Sequence, residues 1–149
     1  MTLRTVQDDR WGRCHLKTIC LLANILAKQA ARKSGADEAL FVRDNKVVTE
    51  GGSSNAFLVR DGAIVTHPAT NLILDGITRR AVIELAKARG IRVEERPFTP
   101  AEALEASEFF MTSTTIEVMP VARIDDRVIA PGPVAAQLRA DYAKLAGRE

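Results

Sequence analysis

The sequence predicts an α/β fold of the α+β type, in which short strands form a mixed, largely antiparallel β-sheet with flanking helices. Two tight-turn signals, Asp44-Asn45 and Asp61-Gly62, each join two apolar runs of strand length, which is typical of antiparallel hairpins. Apolar residues recur at helical spacing over residues 16–33. No glycine-rich nucleotide fingerprint follows a strand, so the pattern does not favour a doubly wound parallel sheet.

The remaining elements follow from periodicity and from glycine and proline punctuation. The first helix ends before Gly35, Gly90 closes a second one, and Pro100 begins a short helix behind a Thr99 cap. Residues 1–15 are polar and mixed and predict no element. The predicted helices span residues 16–33, 78–89, 99–106 and 134–145. The predicted strands span 39–42, 46–49, 56–59, 63–66, 91–97 and 109–111, and a hairpin spans 121–129.

The composition is that of an ordinary soluble globular domain. With 149 residues, 46% of them hydrophobic, the chain is long enough for one core. A net charge of +2 and an aromatic content of 5% argue against nucleic acid and membrane partners. Cys14 and Cys20, without a signal peptide, indicate free thiols and a cytoplasmic protein. The only histidines are His15 and His67, so we expect no metal site.

Three short segments are too polar and too rich in small residues to belong to the core. Residues 50–55 (Glu-Gly-Gly-Ser-Ser-Asn) would let a backbone approach a ligand, or would form a simple loop. Residues 75–78 (Asp-Gly-Ile-Thr) begin a helix, which suits a phosphate or only a threonine cap. Residues 112–115 (Thr-Ser-Thr-Thr) follow a strand and would either cradle an anion or end the strand. In isolation, the structural interpretation of each segment is the better one.

Together these segments form a series of much higher specificity. The chain reads Glu50-x-Gly52-x-x-Asn55-Ala56-Phe57, then after six residues Ile64-x-Thr66, then after seven more Leu74-x-Gly76-Ile77-x-Arg79. This series matches the signature of the class IV pyridoxal-phosphate (PLP) aminotransferases. The upstream motif Arg10-Trp11-x-Arg13-Cys14-x-x-Lys17 and the downstream motif Thr112-Ser113-Thr114-Thr115-x-Glu117 most resemble the D-amino-acid aminotransferase branch. The resemblance runs from about residue 5 to the end of the chain.

The resemblance implies a chemical role for Lys17 and for Glu50. Lys17 matches the catalytic lysine that carries the cofactor as a Schiff base, and a lysine amine must be neutral to attack an aldehyde. The predicted helix over residues 16–33 would place Lys17 near a helix start, among apolar neighbours, where an ammonium is disfavoured. Glu50 matches the carboxylate that pairs with the pyridine nitrogen, whose protonation makes the ring an electron sink.

The resemblance also implies a cofactor-binding role for seven further positions. Two pairs match the phosphate cup, one residue matches the apolar support behind the ring, and two match its polar surroundings. In that order they are Ile77 and Thr78, Ser113 and Thr114, Leu74, and Arg10 and Ser54. Glu38 is expected either to pair with Arg10 or to lie on the surface.

The resemblance further implies what the whole protein does and how it is organised. We expect residues 1–149 to form the PLP-binding large (C-terminal) domain, with its mixed sheet curved into a pseudo-barrel. The family's N-terminal small domain, which holds much of the substrate carboxylate, is expected to be absent from this chain. The implied reaction is transamination between a D-amino acid such as D-alanine and a 2-oxo acid such as 2-oxoglutarate. The expected protein partner is a second copy, in a homodimer, or a partner small domain.

Three other functions remain open at this point. An aminodeoxychorismate lyase shares the fold and cofactor and would release pyruvate without an amino acceptor. A branched-chain aminotransferase shares them as well. A catalytically incomplete PLP-binding domain would retain PLP without turnover. A purely structural domain is the weakest alternative, because it gives no single explanation for the presence of Lys17, Glu50, Thr78 and Ser113 in this pattern.

Overall fold

The computed structural model describes residues 1–148 and shows two five-stranded sheets with four helices. The strands are β1 (Thr2–Gln7), β2 (Glu38–Arg43), β3 (Val47–Gly51), β4 (Asn55–Arg60), β5 (Ala63–Thr66), β6 (Val93–Glu95), β7 (Glu108–Ser113), β8 (Glu117–Pro120), β9 (Arg123–Ile124) and β10 (Arg127–Val128). The helices are α1 (Leu22–Lys33), α2 (Ile77–Ala88), α3 (Pro100–Leu104) and α4 (Pro133–Leu145). The predicted mixed α/β architecture is therefore confirmed.

The strand order is β10-β9-β1-β2-β3 in the first sheet and β6-β5-β4-β7-β8 in the second. Among the described residues, five neighbouring strand pairs are antiparallel and three are parallel. The two predicted turns join β2 to β3 and β4 to β5. Asp44, Asn45, Asp61 and Gly62 all have positive φ angles, as tight hairpin turns require.

The molecule is layered, because β4 is buried on both of its faces. Ala56 and Leu58 point into the core between the two sheets, while Phe57 and Val59 point to the other face, which α2 and α4 cover. Phe57 stacks on Phe110 of β7 with 4.9 Å between ring centroids. A strand buried on both faces carries an uninterrupted apolar run. On the far side, α1 packs on the first sheet, which gives the order helix, sheet, sheet, helices.

Two sequence predictions about the first 33 residues were wrong. Residues 2–7 form β1, a central strand of the first sheet that pairs with β2 and β9. The first helix begins at Leu22 and not at residue 16. The segment 8–21 is irregular, and the Cys14 amide within it donates to the Asn71 carbonyl oxygen at 2.8 Å. Strand β8 was also missed. Among residues 1–148, no helix is long and apolar enough to cross a membrane.

Candidate active site

A cavity of about 810 Å³ opens where the segment 8–21, the ends of β3 and β7 and the start of α2 meet. The two sheets bring these segments together, because β3 leads through residues 51–54 into β4, and β7 pairs with β4. All nine residues for which the sequence predicts a site role line this one cavity: Arg10, Lys17, Glu50, Ser54, Leu74, Ile77, Thr78, Ser113 and Thr114. Their individual roles stay predictions, and their convergence defines the candidate site.

A buried ion network forms the floor of the cavity. The Arg10 guanidinium donates to Glu50 Oε1 at 2.5 Å and to both carboxylate oxygens of Asp8 at 2.9 Å. It also lies over the Phe41 ring at 4.2 Å from the centroid, a favourable cation–π position. The Thr49 hydroxyl donates to Asp8 at 2.8 Å. A buried carboxylate is costly without partners. The contact with Arg10 offsets this cost and holds the Glu50 carboxylate in one position at the cavity.

Glu50 carries an unusual proton affinity for a carboxyl group. Burial raises its pKa to about 7, although the Arg10 ion pair and the hydrogen bond from the Leu74 amide act in the opposite direction. Asp8 differs, since hydrogen bonds from Arg10 and Thr49 outweigh its burial and hold its pKa below the usual value. One arginine therefore serves two carboxylates, and it keeps Asp8 ionised while Glu50 takes up a proton near neutral pH. Such separated proton affinities mark functional carboxyl pairs.

The N-terminus of α2 offers a site for an anion. Its N-cap residue is Gly76, which supplies no capping side chain, and no acidic residue lies in its first turn. The amides of the first turn therefore remain available, and the helix dipole favours a negative group there. Thr78 is buried at this end, with its hydroxyl 3.3 Å from the Tyr142 hydroxyl. The arrangement supports the predicted phosphate site over the alternative of a simple threonine cap.

Two buried hydroxyl groups in the cavity wall lack hydrogen-bond partners and bear on whether a polar cofactor fits. Ser54 Oγ and Thr112 Oγ1 are both fully buried and have no hydrogen-bond partner among the described residues. A buried polar group without a partner is costly and asks for an explanation such as a ligand. Ser113 Oγ lies 3.1 Å from Thr115 Oγ1, and Thr114 is exposed beside it. A hydroxyl-rich wall, a helix N-terminus and a protonatable carboxyl group together fit a cofactor with a phosphate and a basic ring.

The surroundings predicted for Lys17 were wrong. It lies on the irregular segment 8–21, before α1, and its side chain is exposed where it lines the cavity. The neighbours Leu16 and Ile19 do not enclose it, since they are 44% and 96% exposed. The argument from a helix start fails for the same reason, because Leu22 begins the helix. The support that remains for the predicted role of Lys17 is its position, which places a primary amine at the rim of the cavity.

Glu38 neither pairs with Arg10 nor lies on the surface, since it is only 5% exposed. Its carboxylate lies 3.4 Å from the Lys28 ammonium, and it accepts a hydrogen bond from the Ser53 hydroxyl at 3.3 Å. Lys28 in turn donates to Ser53 at 2.9 Å. The three side chains hold the loop over residues 51–54 against α1. The pairing failed because Asp8, two residues before Arg10, already occupies the guanidinium.

Sequence reasoning missed four residues that shape the site. Asp8 and Thr49 complete the ion network, Asn55 bonds to Glu50, and Arg79 anchors the start of α2. The Arg79 guanidinium is buried and donates to Asp75 at 2.9 Å and to the His67 carbonyl oxygen at 2.8 Å. Asn55 and Arg79 stand in the quoted motif, which was the available signal. Asp8 had no signal beyond its closeness to Arg10 in sequence.

Fold and site together define the class of protein. Residues 1–124 match the family model for class IV amino-transferases, and the chain belongs to this family. It is 46% identical over 138 residues to a D-alanine aminotransferase from Bacillus licheniformis, across 91% of this chain and 48% of that protein. It is 47% identical over 137 residues to a D-alanine aminotransferase from Listeria innocua, across 90% of this chain and 47% of that protein.

Solved structures agree with the family. The PLP form of a branched-chain amino acid aminotransferase from Thermobaculum terrenum superimposes with a TM-score of 0.88 at 34% identity, over 99% of this chain and 51% of that one. A branched-chain aminotransferase from Thermoproteus uzoniensis, solved with norvaline, gives 0.85 at 33% identity, over 99% and 52%. The chain spans about half the length of the curated relatives it matches.

Proposed function

We propose that this chain binds pyridoxal 5'-phosphate in the 810 Å³ cavity and provides the large, cofactor-binding domain of an aminotransferase. The reaction is transfer of the amino group of a D-amino acid such as D-alanine to a 2-oxo acid such as 2-oxoglutarate. The observation that carries this proposal is the convergence of nine motif residues on one cavity whose buried carboxyl group, Glu50, has a pKa of about 7. The similarity to D-alanine aminotransferases supports the choice of substrate.

Each part of the cavity wall has a task in holding the cofactor. The amides at the start of α2 and the Thr78 hydroxyl hold the phosphate, with Ser113 and Thr114 on the other side. Leu74 supports the ring from behind, and the Ser54 hydroxyl gains a partner. Arg10 holds Glu50 in place for the ring nitrogen. When bound, PLP supplies an aldehyde for a lysine amine and a protonated ring that takes up the electron pair released at the substrate's Cα.

Two residues of this chain handle protons in the proposed reaction. Glu50 holds a proton at the ring nitrogen, and its raised pKa suits that sharing at neutral pH. Lys17 would attach the cofactor, and its free amine would then carry the proton from the substrate's Cα to the cofactor's C4′ carbon, acting first as general base and then as general acid. The exposure of Lys17 at the cavity rim means that another surface has to exclude water from this amine during catalysis.

An exposed apolar strip beside the cavity supports the proposal that a partner covers this surface. Seven of the ten exposed large apolar side chains of the described residues fall within residues 11–26: Trp11, Leu16, Ile19, Leu21, Leu22, Ile25 and Leu26. Clustered exposed apolar side chains of this kind mark an interaction site. We propose that a second copy, in a homodimer, or a small domain covers the strip and supplies the groups that hold the substrate carboxylate. The free thiols of Cys14 and Cys20 accord with a cytoplasmic location.

A branched-chain aminotransferase is the second candidate. The solved structures that resemble the chain with TM-scores of 0.85 and 0.88 are enzymes of that type. Sequence identity favours the D-alanine branch, with 46% against 34% and 33%. Amino transfer from D-alanine and from L-leucine to 2-oxoglutarate, measured in parallel on protein supplied with a small domain, separates the two candidates.

The attachment of PLP to Lys17 tests the proposed function directly. Protein mixed with PLP should turn yellow, and reduction with borohydride should fix the cofactor to the peptide that contains Lys17, because its amine lines the cavity. Peptide mass spectrometry locates the label. Lys17→Arg should lose the label, whereas Lys28→Arg, at a second lysine that lines the same cavity, should keep it. A label on Lys28 in the unaltered protein would sink the assignment.

Thr78 should discriminate between PLP and pyridoxal, which lacks the phosphate. Thr78→Ala should raise the dissociation constant for PLP roughly tenfold, as expected for a lost hydrogen bond to a charged group, and should leave that for pyridoxal nearly unchanged. Both constants are measured by titration of cofactor absorbance. Tyr142→Phe removes the neighbour of the Thr78 hydroxyl but keeps that hydroxyl, and should bind PLP normally. Equal losses for both ligands in Thr78→Ala would reduce Thr78 to a structural residue.

A further inference from the structure

Asn55, the first residue of β4, joins two parts of the cavity wall that lie far apart in sequence. Its side chain is buried, and Nδ2 donates to Glu50 Oε2 at 3.0 Å and to the Leu74 carbonyl oxygen at 2.8 Å. A backbone carbonyl only accepts hydrogen bonds, so the Leu74 carbonyl oxygen fixes which end of the amide faces these two neighbours. Both amide hydrogens are therefore used, one towards Glu50 and one towards the turn before α2.

Leu74 closes this arrangement into a ring. Its backbone amide donates to the same Glu50 Oε2 at 3.1 Å, and its carbonyl oxygen accepts from Asn55. The next turn of chain lies equally close, since a Cβ built on Gly76 would collide with Asn55 Oδ1. Gly76 is thus the N-cap of α2 and also the place where the backbone touches the amide. The ring ties the peptide before the anion site to the carboxylate.

We propose that Asn55 is a positioning residue that sets the spacing between Glu50 and the anion site at the start of α2. This inference rests on the proposed function, in which one rigid molecule contacts both places. A ligand with its basic nitrogen at one end and its phosphate at the other binds well only when both protein groups are pre-placed. Asn55 does this without touching the phosphate, by holding Leu74 and Gly76 at a fixed distance from the carboxylate.

The opposite flank of the same turn is anchored independently. Arg79 is buried and binds Asp75, the His67 carbonyl oxygen and Glu95, at 2.9, 2.8 and 2.7 Å. These bonds hold α2 on the second sheet. Loss of the Asn55 side chain should therefore free the Leu74 side of the turn while α2 stays in place. The expected effect is a local loosening of the site in a protein that still folds.

The test uses the full chain without cofactor and compares Asn55→Ala with the unaltered protein. Amide hydrogen exchange by NMR should show the Leu74 N–H exchanging at least about tenfold faster, since one bond of its ring is lost. Carboxyl ¹³C NMR should show the Glu50 titration midpoint rising by roughly one pH unit, because a donor to its charged form has gone. Asn55→Ser, whose hydroxyl is too short to reach both partners, should show the same two changes if the alanine variant folds poorly.

The matched control is Asn24→Ala. Asn24 is a second amide that lines the cavity, but it donates to the Gly52 carbonyl oxygen at 2.9 Å. This variant should leave Leu74 exchange and the Glu50 midpoint unchanged. With cofactor added, Asn55→Ala should lose roughly tenfold in affinity for PLP and much less for pyridoxal, since the phosphate site moves relative to Glu50.

The outcomes separate this proposal from the proposed function. Unchanged Leu74 exchange together with an unchanged Glu50 midpoint in Asn55→Ala overturns the positioning role. A lowered melting temperature with equal losses for PLP and pyridoxal also overturns it, because Asn55 would then act only on stability. Absence of PLP binding in the unaltered protein overturns the proposed function, and it is recognised by a colourless parent protein whose Leu74 and Glu50 still respond to the substitution.

Discussion

Arg10→Met should lower the free energy of unfolding by about 3–5 kcal/mol at pH 8, the range typical of a buried ion pair broken on one side. Arg10 is 7% exposed and makes hydrogen bonds to Asp8, Glu50, Thr49 and the Leu72 carbonyl oxygen. Methionine keeps an apolar body against the Phe41 ring, but it leaves Glu50 without its cation and leaves Asp8 with Arg43 as its only cation, at 3.2 Å. Urea or guanidinium unfolding, followed by circular dichroism, measures the change.

The double variant Arg10→Met/Glu50→Gln provides the control for this prediction. Its glutamine can turn its oxygen towards the donors at Asn55 and Leu74 and its amide nitrogen towards the site that the guanidinium left. Part of the lost stability should therefore return, although Asp8 still lacks the guanidinium, and a double-mutant cycle detects this return as coupling between the two positions. Arg60→Ala, at an exposed arginine 3.9 Å from Glu105, should change stability little. Additive losses in the cycle would contradict the buried pair.

The sequence was informative about elements whose local pattern and tertiary role agree. The turns at Asp44-Asn45 and Asp61-Gly62 and the strand β4 were predicted nearly at their observed bounds, because turn chemistry and apolar runs are local signals. Strand β1 was missed since Leu3 is its only buried residue, and its polar neighbours gave no alternation. A central strand of that composition is specified by its pairing with β2 and β9, which no local pattern displays.

The site shows the same division. Motif spacing placed Glu50, Leu74 and Thr78 in one cavity, because spacing in a family signature reflects a three-dimensional arrangement. It did not give the surroundings of Lys17. The apolar residues after Lys17 have helical spacing and predicted a helix from residue 16, but the helix begins only at Leu22 and residues 16–21 are irregular. Apolar residues at helical spacing face a core only when a core is present, and here most of them face outwards beside the cavity.

Protein stability without cofactor should fall as the pH rises from 4.5 to 7, and Glu50→Gln should flatten this fall. Burial raises the folded-state pKa of Glu50 from 4.5 to about 7, so in this window the folded state binds more protons than the unfolded state. Stability then decreases with pH. Since one pKa unit corresponds to about 1.4 kcal/mol, the Glu50 contribution is on the order of 3 kcal/mol, present below pH 4.5 and lost above pH 7.

The slope, and not the absolute stability, is the quantity to compare between Glu50→Gln and the parent. In either orientation of its amide, the introduced glutamine faces a donor with its own NH₂ group, because Arg10 lies on one side and Asn55 and Leu74 lie on the other. That cost does not depend on pH. His67 changes stability in the opposite sense, since burial lowers its pKa, but it is the same in both proteins and cancels in the difference. Thermal unfolding at half-unit steps from pH 4 to pH 8 gives both curves, and parallel curves would show that Glu50 is already ionised throughout this range and holds no proton for a ring nitrogen.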